Sequence, residues 1–111
     1  MTNPVSPEGT PQARFEFLAA RQSAIVRAAG DIDLTNVGQF QAALDQAAAT
    51  ASAITADLTA VTYCDSAAIR ALFLAARQVR LTIEVAAAGP INETLLNVSG
   101  LDQIATVVTL D

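Results

Sequence analysis

Beyond residue 12 the chain alternates short apolar runs with amphipathic stretches. Phe15 to Ala19 and Ile25 to Ala29 are apolar runs separated by Arg21-Gln22-Ser23, which predicts two strands joined by a hairpin turn. Gly30-Asp31-Ile32-Asp33 interrupts the pattern. Thr35 or Asn36 then stands where a side-chain oxygen caps a helix. Val37, Phe40, Leu44, Ala47 and Ala51 follow at helical spacing and form one apolar stripe. Ile54 to Leu58 reads as a strand, with Ile54, Ala56 and Leu58 on one side and Thr55 and Asp57 on the other.

A second helix is predicted from about Ser66 to Val79, with Ile69, Leu72, Phe73, Ala76 and Val79 toward the core. Leu81 to Val85 alternates as the next strand. Gly89-Pro90 ends it, and proline suits the start of a short helix carrying Ile91, Leu95 and Val98. Gly100 is placed as a left-handed cap with Leu101 folding back behind it, and Ile104 to Leu110 closes the chain as a strand.

The order β-β-α-β-α-β-α-β predicts a single α/β domain with a mixed, mostly parallel sheet. Right-handed crossovers between neighbouring strands put the helices on one face. The polar positions Thr55, Asp57, Thr82 and Glu84 agree, because strands covered on both faces read as continuous apolar runs. The strand order does not follow from the pattern. Residues 1–12 hold three of the four prolines and no apolar run, so they read as a disordered tail before a domain over 13–111.

Composition narrows the function. The chain has 111 residues, of which 52% are hydrophobic and 15% charged. The 24 alanines predict a core of small side chains, with Phe15, Phe17, Phe40 and Phe73 among its bulk. Net charge is −5 and lysine is absent, which disfavours a phosphate backbone as a partner. No stretch approaches the ~18 apolar residues of a membrane span, and no signal peptide is apparent, so a soluble cytoplasmic protein is expected. Histidine is absent, which removes Ser-His-Asp and Cys-His catalysis. The single cysteine, Cys64, excludes an internal disulfide and a cysteine zinc site. The chain also lacks nucleotide-binding glycine motifs, so neither an enzyme nor a bound cofactor is expected.

In a parallel sheet the loops leaving the C-terminal strand ends share one edge, where functional groups gather. Here these are Gly30-Asp31-Ile32-Asp33, Thr62-Tyr63-Cys64-Asp65-Ser66 and Ala88-Gly89-Pro90. Asp65 or Ser66 lies at a helix start, where free N–H groups and the dipole favour negative charge. They read either as a simple cap or as a phosphoacceptor serine beside one. Arg70, Leu74 and Arg77 share a helix stripe with Ser66, which fits a partner surface with an apolar centre and a charged rim, or a solvated face. Asp31 and Asp33 lack the accompanying ligands of a metal site and read as turn and helix-dipole residues. Cys64 reads as a small buried residue or as a redox-sensitive thiol.

Asp65-Ser66, with Val61-Thr62-Tyr63-Cys64 before it and Ile69-Arg70-Ala71-Leu72 after it, resembles the signature loop of the STAS domain of bacterial anti-sigma factor antagonists. Gly30-Asp31-Ile32-Asp33 is similar to that family's loop before the first helix. Asp57-Leu58-Thr59 with Val61 is similar to its central strand, and Val98-Ser99-Gly100-Leu101 to its Ser-Gly-Leu before the last strand. The resemblance spans almost the whole folded chain. It implies a protein that binds an anti-sigma factor with serine kinase activity and so frees a sigma factor in transcription regulation. It further implies that phosphorylation of Ser66 dissociates the complex and that a phosphatase resets it. Asp31, Asp33, Asp65, Ser66, Arg70, Leu74 and Arg77 are then the partner-facing residues. One position departs: Ala68 stands where the family commonly has glycine, and its methyl group is expected to restrict the approach of a kinase. The same family also contains accessory subunits that bind the ATPase of membrane transporters, which is the alternative reading.

Overall fold

The computed structural model describes residues 14–20, 22–89, 91 and 100–110. Strands β1 (Arg14–Ala20) and β2 (Ser23–Ile32) form the expected hairpin, antiparallel with Ala20 opposite Ser23. Helix α1 (Val37–Thr50) leads to β3 (Ala53–Cys64), helix α2 (Ser66–Ala76) to β4 (Arg80–Ala86), and a short helix α3 (Leu101–Ile104) to β5 (Thr106–Leu110). The five strands lie in chain order, β1-β2-β3-β4-β5, and every pair after the hairpin is parallel. The expected tail over 1–12 lies outside the described residues, as do Leu95 and Val98 of the expected third helix.

The alternation decides which face is covered. Ala24, Val26 and Ala28 of β2, Ile54, Ala56 and Leu58 of β3, and Leu81, Ile83 and Val85 of β4 are buried. Helices α1 and α2 pack on that face and on each other. Burying each large side chain here contributes ~1.5–3 kcal/mol. Thr55 lies opposite Thr82, and Asp57 opposite Glu84, on the other face. There Arg27 Nε donates to Asp57 at 3.2 Å. Burial raises the Asp57 carboxyl, but hydrogen bonds from Thr59 and the charge of Arg27 outweigh it, leaving the group below its ordinary value.

Four expectations need correction. First, the strands run further than the apolar runs indicate: β2 continues through Gly30 and Asp31 to Ile32, and β3 through Thr62 and Tyr63 to Cys64. Between the pairs Arg27↔Asp57 and Ala29↔Ala60, β3 advances three residues against two in β2. Between Gly30↔Val61 and Asp31↔Tyr63 it advances two against one. These two bulges each add a residue to β3. Val61 is thereby turned into the core in place of Ala60 and Thr62, and the original phase returns at Cys64. Gly30 takes φ +83 beside the second bulge, a conformation glycine adopts without strain.

Second, the buried face of α2 is made of Ala68, Ala71, Leu72 and Ala75, while the bulkier Ile69 and Phe73 are only half-buried. Third, of the four phenylalanines only Phe40 is fully buried. Phe15 stacks on it at 5.8 Å from the sheet margin, and Phe17 and Phe73 pack around the core. Fourth, Gly100 has the expected left-handed φ of +86 and Leu101 is buried. Leu101 to Ile104 nevertheless form a helical turn, so the last strand begins at Thr106.

Candidate functional site

The ends of β2 and β3 lie side by side, with Asp31 opposite Tyr63 and Ile32 opposite Cys64. The Asp65 N–H donates to the Ile32 carbonyl at 3.1 Å, so the loops that open α1 and α2 start from one place. The Thr62 hydroxyl donates to the Asp31 carboxylate.

The loop before α1 is held by its own polar side chains. Asp33 accepts from the Thr35 N–H at 2.9 Å and from the Thr35 hydroxyl. The Thr35 hydroxyl and then its N–H hold the Asp33 carboxyl below its ordinary value. Asn36 stands at the N-cap position but makes no side-chain cap. Its amide instead donates to the Asp31 carbonyl at 2.8 Å and accepts from the Asp33 N–H at 3.0 Å. Neither Thr35 nor Asn36 therefore caps α1 by its side chain.

At α2 the structure decides which of Asp65 and Ser66 is the cap: it is Asp65. One Asp65 carboxylate oxygen accepts from the N–H groups of Ala67 at 2.9 Å and Ala68 at 3.2 Å. That satisfies two of the four free donors of a helix start. Ser66, the first residue of α2, is exposed. Ala68, which stands where the family commonly has glycine, is fully buried, so its methyl group lies in the core.

Cys64 is buried between Tyr63 and Asp65. Burial, with the Asp65 charge adding to it, pushes its thiol up to about 12. At 6% exposure the side chain belongs to the core, where burial disfavours the reactive thiolate form.

Arg70 and Leu74 are exposed along α2, and Arg77 is exposed at its C-cap. The three do share a stripe with Ser66, but Arg77 lies ~16 Å further down the helix at 1.5 Å per residue. It stands at the opposite margin of the sheet from Asp31, Asp33, Asp65 and Ser66, beside a hollow of about 460 Å³ lined by Ser52 and Arg80. Among the described residues no group of acidic residues and cysteine could hold a metal ion.

Two residues at the Ser66 edge were not singled out as contacts in the sequence. Leu34, at the tip of the loop before α1, is 78% exposed, and Tyr63 is 53% exposed. The available signal for Leu34 was an isolated leucine between Asp33 and Thr35. For Tyr63 it depended on the bulges, which set the way it faces.

Comparisons with known proteins agree with this architecture. A family model described as "Mlab, STAS domain" matches residues 15–109. No curated protein matches the chain in sequence. The fold is similar to that of an anti-sigma factor antagonist from Mycobacterium paratuberculosis, with a TM-score of 0.76 and 18% identity over 87% of this chain and 86% of that one. It is also similar to the anti-sigma factor antagonist SpoIIAA in its unphosphorylated form, with a TM-score of 0.63 and 16% identity over 88% of each chain. The Bacillus cell fate determinant SpoIIAA in its phosphorylated form gives a TM-score of 0.63 and 17% identity over 86% of this chain and 92% of that one. At these identities the structures establish a shared fold, and the family model extends over nearly all of the described residues, from the hairpin to the last strand. The chain belongs to the STAS domain family.

Proposed function

We propose that this protein is an anti-sigma factor antagonist. It binds an anti-sigma factor that is also a serine kinase, releases the sigma factor held by it, and is switched off by phosphorylation of Ser66. The observation that carries this reading is the exposed Ser66 at the first position of α2, beside an Asp65 cap that already holds the helix start together. A phosphate there meets the positive end of the helix dipole within its own chain. The same phosphate adds about −1.5 to −2 charge to an edge that carries Asp31, Asp33 and Asp65. The family match and the similarity in fold to anti-sigma factor antagonists, one of them in a phosphorylated form, support the reading.

Asp31, Asp33, Asp65, Ser66, Arg70 and Leu74 form the contact surface, with Leu34 and Tyr63 as exposed apolar anchors. Arg77, at the far end of α2, contacts only a partner that lies along the whole helix.

The test begins with a pull-down from native lysate to recover the anti-sigma factor. Wild type and Ser66→Ala are then incubated with it and ATP, and intact mass is followed. Wild type gains one phosphate, whereas Ser66→Ala binds and gains none. Capture of a transporter ATPase in place of an anti-sigma factor would overturn this reading in favour of the accessory-subunit role.

A further inference from the structure

The backbone donors at the start of α2 are already engaged. The Asp65 N–H donates to the Ile32 carbonyl at 3.1 Å, and the Ile69 N–H to the Asp65 carbonyl at 3.2 Å. The N–H groups of Ala67 and Ala68 are held by the Asp65 carboxylate. A phosphate at an uncapped helix start takes such N–H groups for itself. On Ser66 it meets a first turn whose cap, Asp65, has taken them and is itself negative. The phosphate charge must therefore be met by a side chain.

Arg70 is placed to meet it. Ser66 and Arg70 are four residues apart on one stripe of α2, and both are exposed. Side chains at this spacing have Cβ atoms about 5–6 Å apart, and the pair is favoured when the acidic group is nearer the helix N-terminus. Ala67, Ala68 and Ile69 between them carry no polar side chain that competes. Among the described residues Arg70 has no ion pair or side-chain hydrogen bond, whereas Arg27 is engaged by Asp57 at 3.2 Å and Glu16 at 3.9 Å. Guanidinium and phosphate match as a bidentate pair. A phosphate also reaches one bond further than an aspartate carboxylate at the same position and carries about −1.5 to −2 charge, so it spans the turn.

We infer that a phosphate on Ser66 is held within the chain by Arg70, in an ion pair across one turn of α2 that leaves the Asp65 cap in place. The inference rests on the proposal that Ser66 is the modified residue. In that modification the bond from the γ-phosphorus of ATP to the bridging oxygen of ADP breaks. The bond from phosphorus to Ser66 Oγ forms, and the hydroxyl proton leaves to a base of the kinase. The surface then changes twice. It gains the phosphate charge, and it loses Arg70, the cation that the contact surface presents beside Asp31, Asp33 and Asp65. Switching needs no change of fold.

The test encodes phosphoserine at position 66 during synthesis of the full chain, so that no kinase is required. In NMR spectra the Arg70 Nε–H resonance shifts on phosphorylation. Denaturant titrations then compare the modified and unmodified chains. Arg70→Gln lowers the folded-to-unfolded ratio of the phosphorylated chain by roughly threefold or more. It leaves the unmodified chain close to wild type, because the two residues have similar helix propensity. Asp65→Ala lowers the ratio by about fivefold in both chains, since the cap is kept. An Arg70 resonance that does not move overturns the inference. So does an Arg70→Gln loss that is equal in the two chains, or an Asp65→Ala loss that vanishes on phosphorylation because the phosphate has taken over the cap. The proposed function is judged separately: a recovered kinase that leaves Ser66 unmodified defeats that reading, whatever the encoded phosphoserine does.

Discussion

The two helix starts at the Ser66 edge rise side by side from β2 and β3, yet they are built in opposite ways. At α2 the polar side chain looks forward: Asp65 takes the N–H groups of Ala67 and Ala68, and Ser66 is left exposed. At α1 the polar side chains look backward: Asn36 and Thr35 bond to Asp31 and Asp33, and no side chain caps the helix. One start is a capped platform carrying an exposed hydroxyl. The other is a knotted loop presenting Leu34. The difference teaches how one sheet edge can hold an exposed hydroxyl and a self-bonded loop side by side, because neither helix start borrows the other's side-chain hydrogen bonds.

The largest expected effect falls on the platform. Ser66→Asp places a charge that the partner must desolvate without a counter-ion. Such a charge costs several kcal/mol, and each 1.4 kcal/mol is tenfold, so affinity for the anti-sigma factor falls by ~100-fold or more. Calorimetry reads the affinity and a melting curve shows the fold intact. Binding as tight as wild type would reduce Ser66 to a helix residue without a switch.

The knotted loop is probed by Leu34→Asp, with Leu74→Asp as its counterpart on α2. Each removes an exposed leucine that the core does not need and weakens binding by ~1–3 kcal/mol, as truncation at an interface centre does. Melting temperatures stay close to wild type. A collapse of the fold in Leu74→Asp would show that its 37% exposure understates its packing.

Asp65→Ala separates the two starts in stability. It removes the cap and costs about 1 kcal/mol in denaturant titration. Thr35→Ala leaves α1 uncapped as before, so it costs less and acts on the loop. Equal losses from the two variants would erase the distinction between the starts.

The smallest effect is electrostatic and confined to the loop. The Asp33 carboxyl is held below its ordinary value of 3.8 by Thr35. Its stabilising contribution is therefore present above the unfolded value and lost as pH falls through the lower folded one. Carbon-detected NMR titration of Asp33 should show the depressed midpoint, returned toward 3.8 in Thr35→Ala. Asp57 follows the same sign on the outer face, through Thr59 and Arg27.

Much of this edge was legible beforehand, because its signals are local. Asp65-Ser66 before an alanine-rich amphipathic stretch marks a helix start, because both residue types favour the cap position, and of the two Asp65 makes the cap. Other residues were not legible, because their roles depend on partners distant in sequence. Asn36 has the chemistry of a cap but finds better acceptors and donors in Asp31 and Asp33, which the end of β2 brings within reach. Cys64 was ambiguous until the pairing of β3 with β2 turned it inward.

The sequence alone determined the order along the chain of the five strands and first two helices, the covered face of the sheet, the stripe of α1 and the place where α2 starts. Each rests on a period of two or 3.6 residues, or on a side chain bonding within a few residues of itself. Tertiary structure alone decided the strand order, the two bulges that carry Val61 into the core, and the choice of Ala68, Ala71 and Ala75 as the buried face of α2. A bulge is a mismatch of count between two strands and has no meaning in one of them. Small side chains become the buried ones where α2 must lie close to the sheet and to α1, and that closeness is a property of the assembled layers.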